Sequence, residues 1–231
     1  MRYEATVSRP DGNLERTVLV WDHCVAVGYA GRNQDAVRAH VDELVKLGVP
    51  VPYAIPAMYW IEPEKILSQR NLTVIGDKTS GEVEFFMARD GAGDLYMTLA
   101  SDHTDRGLET VSVSKAKQIC SKILAPSFWK VADVREHWDR IELMSEIPDG
   151  NGGYRVYQKG TLGDLLIPER LEELAVQDVP AGGGRVALFS GTLAAVGGIV
   201  YADEFRMTLF DPVLNRSIRF GYKIFQLPDR N

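Results

Sequence analysis

Alternating apolar and polar positions, rich in β-branched residues, run through Thr17 to Val20, Leu72 to Ile75, Val83 to Met87 and Leu95 to Leu99. The pattern returns in Arg185 to Ser190, Phe205 to Phe210 and Ser217 to Phe225, and each of these stretches reads as a strand. Turn chemistry separates them. Asp11, Gly12 and Asn13 predict an early hairpin, and Asp90 to Asp94, with Gly91 and Gly93 inside, joins two strands that would pair as the next. Helical spacing of Ala36, Val37, Val41, Leu44 and Val45 predicts a helix over Gln34 to Leu47, stopped by Gly48 and Pro50. Ser114 to Ile123 and Pro168 to Leu174 are shorter helical candidates, the second opening on Pro in its first turn. The expected fold class is α+β, mostly β, with a few short helices. By pattern alone, residues 1–60 make a small N-terminal β subdomain with its helix and residues 61–231 one β-rich body.

Composition narrows the function more than the fold. A chain of 231 residues, 45% hydrophobic, buries a core without disulfide or metal staples. Its 26 Lys+Arg against 32 Asp+Glu leave a net charge of -6, which argues against a nucleic-acid or anionic-membrane partner. No apolar stretch approaches the roughly 18–20 residues of a membrane span. Cys24 and Cys120 stand alone in apolar contexts, and Met1 to Val7 lacks a basic segment leading into an apolar one, so a reduced cytoplasmic location is expected.

Acids gather between Gly81 and Glu109. Glu82 and Glu84 flank Val83 and share one strand face. If that strand pairs with the next through the Gly91 turn, Asp102 comes to lie opposite the Glu82 end. Three carboxylates then converge, and oxygen-only ligands suit Mg²⁺, Mn²⁺ or Ca²⁺. Alternating Glu on a strand equally describes a solvated face.

These residues resemble a known pattern. Glu82, Val83, Glu84, followed by Leu99, Ala100, Ser101, Asp102, His103, Thr104, Asp105 and Arg106, are similar to the core motif of the fumarylacetoacetate hydrolase superfamily. Ser190, Gly191, Thr192 through Val196, Gly197 and Gly198 resemble its Gly-Thr motif, and Asn151, Gly152 and Gln158 to Leu165 the segment before it. The resemblance implies a mixed β-roll core and a homodimer. It also implies Mg²⁺ (or Mn²⁺) on Glu82, Glu84 and Asp102, and a small anionic substrate. His40 and Glu43, on a lid helix, match its acid/base pair; residues three apart share a helix face, so the carboxylate would orient the imidazole. Lys117 resembles the lysine that opposes developing charge, with Lys115 and Lys122 as rivals. Arg106 and Thr192, with Gly191, would bind the substrate. Gly107, Glu109 and Leu193 depart from the Asp, Gln and Pro usual at those positions.

Other motifs are declined. Asp90 to Asp94 lacks the EF-hand ligand series, Gly182 to Gly184 lacks nucleotide-binding spacing, and no Gly-x-Ser-x-Gly elbow occurs. His103 follows Asp102 and alternation turns it away; His23 and His137 read as structural. The expected activity is metal-dependent hydrolase/lyase cleavage of a C–C bond in a small 2-oxo or 1,3-dicarbonyl carboxylic acid, through an enolate. Decarboxylation, isomerisation and hydration share that enolate and stay open. So does a non-catalytic ligand-binding protein, which Gly107 and Leu193 favour.

Overall fold

The computed structural model describes residues 1–46 and 51–230, without the side chains of His40, Glu43, Leu44 and Lys46. In chain order the elements are β1 (Arg2–Ser8), β2 (Leu14–Val20), β3 (His23–Gly28), α1 (Gln34–Lys46), β4 (Ala57–Ile61), β5 (Ile66–Leu67) and β6 (Asn71–Ile75). There follow β7 (Thr79–Ser80), β8 (Val83–Arg89), β9 (Leu95–Ser101), β10 (Thr104–Asp105), α2 (Arg106–Glu109), α3 (Val113–Ile119), β11 (Lys122–Leu124) and β12 (Ser127–Lys130). The rest are β13 (Glu142–Pro148), β14 (Tyr154–Thr161), α4 (Pro168–Gln177), β15 (Val186–Phe189), β16 (Glu204–Asp211) and β17 (Arg216–Leu227). The fold is α+β and mostly β.

Ten strands form the large sheet, in the path β2-β1-β12-β9-β8-β15-β3-β4, with β11 against β9 and β5 beyond it. The sheet curls: Leu19 on its β2 edge makes a bridge to Asp90 at the end of β8. A five-stranded sheet, β14-β13-β16-β17-β6, packs against its outer side. Period-two geometry divides β8 between two cores. Val83, Phe85 and Met87 meet Leu143, Phe205 and Leu209 between the sheets, while Phe86 and Ala88 join Leu19, Ala26, Phe128 and Phe189 inside the curl. A strand covered on both faces is apolar at nearly every position, and β8 is buried from Val83 to Ala88.

The hairpin turns form as expected. Arg9 N–H donates to Asn13 O at 2.9 Å around Gly12 (φ 85°), and Asp90 N–H to Asp94 O at 3.0 Å around Gly93 (φ 93°). β1 pairs with β12 and β3 with β15, so residues 1–60 share the large sheet with the later strands. The helix expected over Ser114 to Ile123 is shorter: α3 spans Val113–Ile119, Cys120 turns extended (φ -84°, ψ 138°), and β11 follows. Pairing of Ile123 with Ser101 and Leu67 outweighs helical spacing. The expected stop at Gly48 and Pro50 lies outside the described residues.

Candidate metal centre

The register of β8 and β9 places Val83 opposite Ser101 and Glu84 opposite Ala100. It continues one step further, where Asp102 N–H donates to Glu82 O at 3.0 Å. Glu82, Glu84 and Asp102 therefore share the face that Phe86 and Ala100 present to the inside of the curl. One carboxylate oxygen from each lies within 4.8 Å of the others. Glu84 is 1% exposed and Asp102 fully buried, so these acids are not the solvated face that alternation also allowed.

Two short helices surround the acids with cations. Asp105 caps α2, its Oδ1 accepting from Leu108 N at 2.9 Å, and Ser112 caps α3. From α3, Lys117 Nζ donates to Glu82 Oε2 at 2.8 Å and to Asp102 Oδ2 at 2.5 Å. From β11, the buried Lys122 Nζ lies 2.6 Å from Asp102 Oδ1 and donates to His103 O at 2.6 Å. Arg106, opening α2, gives Nη2 to Glu82 Oε1 and Nη1 to Glu109 Oε2, both at 2.9 Å. Two of the three rival lysines thus reach the acids, and Lys115 is exposed.

Charge partners set the acids apart. Burial alone would raise the Glu82 carboxyl, but the charges of Arg106 and Lys117 outweigh it and hold the group at about 2. Among the described residues, no cation pairs with Glu84. Burial, then the charges of Asp102 and Glu82, push it well above the usual carboxylate range, against the charge of Lys117 and a hydrogen bond from Gly191 N–H to Oε2 at 3.0 Å. Burial opposes the charge on Lys117, and Asp102 and Glu82 overcome it, so its ammonium is held well above the ordinary lysine value.

Gly191 sits at φ 83°, and a Cβ there would stand 2.6 Å from Val27 O and 2.7 Å from Ala30 Cβ. A left-handed backbone in close contact requires glycine. Thr192 Oγ1 donates to Val83 O at 2.8 Å and accepts from Gln158 Nε2 at 2.7 Å, so its hydroxyl ties the Gly-Thr segment to β8. Gln158 Oε1 in turn accepts from Val83 N at 2.9 Å. Leu193 is buried, and its carbonyl accepts from Gln158 Nε2 at 2.6 Å.

Three histidines have described side chains. His103 turns from the acids: its ring contacts Tyr222 Oη at 3.0 Å and Thr79 Oγ1 at 2.9 Å. His23 meets Gly183 O, and His137 meets Asp211. The side chains of His40 and Glu43 lie outside the described residues. Lys122, which sequence reasoning held only as a rival to Lys117, joins the site beside it, and Gln158 and Glu109 were given no role there. A lysine inside the apolar run Lys122 to Ala125 was the available sign for the first.

The donor set fits a hard divalent cation: all its atoms are carboxylate oxygens, buried and close enough to share one ion. No helix among the described residues is long and apolar enough to cross a membrane.

The architecture matches solved structures. Cg1458 with inhibitor superposes with a TM-score of 0.62 at 14% identity, covering 93% of this chain and 81% of that one. 2-Keto-3-deoxy-D-arabinonate dehydratase complexed with magnesium and 2,5-dioxopentanoate gives 0.61 at 13%, covering 90% and 74%. Maleylpyruvate hydrolase from Sphingobium sp. SYK-6 gives 0.54 at 12%, covering 93% and 78%. These are members of the fumarylacetoacetate hydrolase superfamily, and the chain has that superfamily's fold. By sequence, the chain belongs to the DUF2848 family, described as a protein of unknown function, whose profile matches residues 27–222. No curated protein matches the chain by sequence.

Proposed function

We propose that the protein is a divalent-metal-dependent hydrolase or lyase that cleaves a C–C bond in a small 2-oxo or 1,3-dicarbonyl carboxylic acid. The observation that carries this reading is the trio Glu82, Glu84 and Asp102, buried with oxygens within 4.8 Å and the Lys117 ammonium against two of them. These three side chains would hold Mg²⁺ or Mn²⁺. A cation bound there would supply Lewis-acid stabilisation of the negative charge that develops as the bond breaks. The relative solved with magnesium and 2,5-dioxopentanoate supports the pairing of metal and small oxo compound on this fold.

The chain's own groups supply the rest. Lys117 is held protonated by its acidic neighbours and stands ready to oppose charge on a bound oxyanion. Arg106 fixes Glu82 through Oε1 while Lys117 holds Oε2, so both oxygens of that acid have a set orientation. Gly191 and Thr192 hold the loop beside Glu84, and the Gly191 amide orients its carboxylate. His40, oriented by Glu43 on α1, is the proposed base that activates water, read from their spacing. Turnover of an acylpyruvate and oxaloacetate panel tests the whole. Activity is expected with Mg²⁺, lost with chelator and in Glu82→Ala, and lowered by about 10²–10⁴-fold in His40→Ala. Metal binding with no turnover across the panel, unchanged by His40→Ala, would replace catalysis with simple ligand binding.

A further inference from the structure

Glu109 stands at the outer edge of the centre. Side-chain exposure rises from 0% at Asp102 through 12% at Glu82 to 24% at Glu109, so these acids run from the buried end toward solvent. Arg106 lies between the outer two, one terminal nitrogen on each at 2.9 Å. A guanidinium in that position would ordinarily receive a ligand carboxylate through its paired terminal nitrogens. Here protein carboxylates already occupy both.

The charge at that edge points the same way. Glu109 holds Arg106 Nη1 while Glu82 holds Nη2. A ligand whose far end carries a carboxylate would meet the Glu109 carboxylate there, beside a guanidinium already paired with two protein carboxylates.

We propose that Glu109 is a specificity-determining residue: it selects 2-oxo acids that carry one carboxylate and an uncharged far end, and rejects dicarboxylic ones. The proposal rests on the metal-dependent reading above and names its substrate class. Specificity built on a repulsive group is a difference of affinities, and it shows when that group is removed.

The probes are 2-oxopentanoate and 2-oxoglutarate, which match in chain length and differ in the far carboxylate. Calorimetry on the full chain first measures Mg²⁺ alone, then each acid in saturating Mg²⁺, for the wild type, Glu109→Gln and Glu109→Asp. The wild type is expected to prefer 2-oxopentanoate by about tenfold or more, as like-charge juxtaposition demands. Glu109→Gln narrows that ratio about tenfold by gaining 2-oxoglutarate affinity, because Arg106 Nη1 is released from an ion pair. Glu109→Asp keeps the charge and the preference. Equal wild-type affinities, or a ratio unmoved in Glu109→Gln while Mg²⁺ still binds, overturn the role of Glu109 and leave the metal reading standing. Absence of Mg²⁺ binding, or failure of both acids to bind all three proteins, overturns both.

Discussion

The β8–β9 hairpin carries acids at both of its ends. At the turn, Asp90 Oδ1 accepts from Ala92 N and Asp94 N at 2.9 and 3.0 Å, and Asp94, its side chain 47% exposed, pairs with Lys130 at 2.6 Å. At the other end, Glu84 and Asp102 are buried, and Glu82 is held between Arg106 and Lys117. The turn acids satisfy backbone donors and water, which is the common use of Asp beside Gly. The buried acids have lost water, so their surroundings decide their charge. Glu82, paired with two cations, is held down at about 2, while Glu84, which pairs with none among the described residues, is pushed well up. An acid cluster becomes a site where later elements seal it from water and distribute counter-charges unevenly among its members. Here α2, α3 and β11 do so.

The largest effect that would test this contrast is on Lys122. Lys122→Met strips a fully buried ammonium from a fully buried Asp102, and removing one partner of such a pair costs about 3–5 kcal/mol. Urea unfolding at neutral pH measures it; a loss below about 1 kcal/mol would mean that the Lys122–Asp102 pair does not hold this end of the hairpin.

Next comes the opposite behaviour of the two glutamates. Glu82 has a depressed folded value, so its stabilisation is present above its ordinary 4.5 and fades as pH falls toward about 2. Glu84 has a raised folded value, so its effect is favourable below the ordinary 4.5 and is lost as pH climbs through the folded value. Glu84→Gln is therefore expected to raise the melting temperature in EDTA at neutral pH and to abolish the rise that Mg²⁺ gives the wild type. A lower melting temperature in EDTA would reverse the sign assigned to Glu84.

The smallest effect belongs to the turn. Asp94→Asn breaks an exposed pair with Lys130, and stability is expected to change by no more than about 1 kcal/mol, with the Mg²⁺ shift intact. A lost Mg²⁺ shift would join the two hairpin ends into one functional unit.

Sequence reading reached the two hairpins because Asp11 to Asn13 and Asp90 to Asp94 carry their own turn chemistry. It reached the acid trio because strand period and hairpin register are local arithmetic. β3 was harder to see. His23–Gly28 is apolar from Cys24 to Val27, since β15 and β4 flank it and both faces are covered, and such a run shows no alternation. β11 was hidden for a related reason: three residues that pair with β9 and β5 continue the apolar spacing of α3. Glu109 was visible as a departure from a motif, but its bond to Arg106 depends on a helix of four residues whose existence the pattern does not declare.

The chain by itself determined its class of fold, its strand-dominated core, and which three carboxylates can meet, because side-chain alternation and antiparallel register are properties of neighbouring residues. Tertiary structure alone decided that the meeting place is buried, that Lys117 and Lys122 both reach it, and that the Glu82 and Glu84 carboxyls are shifted in opposite directions. Those outcomes depend on which distant elements cover the strand end, and the free energy of an ionised group is set by that covering far more than by its sequence neighbours.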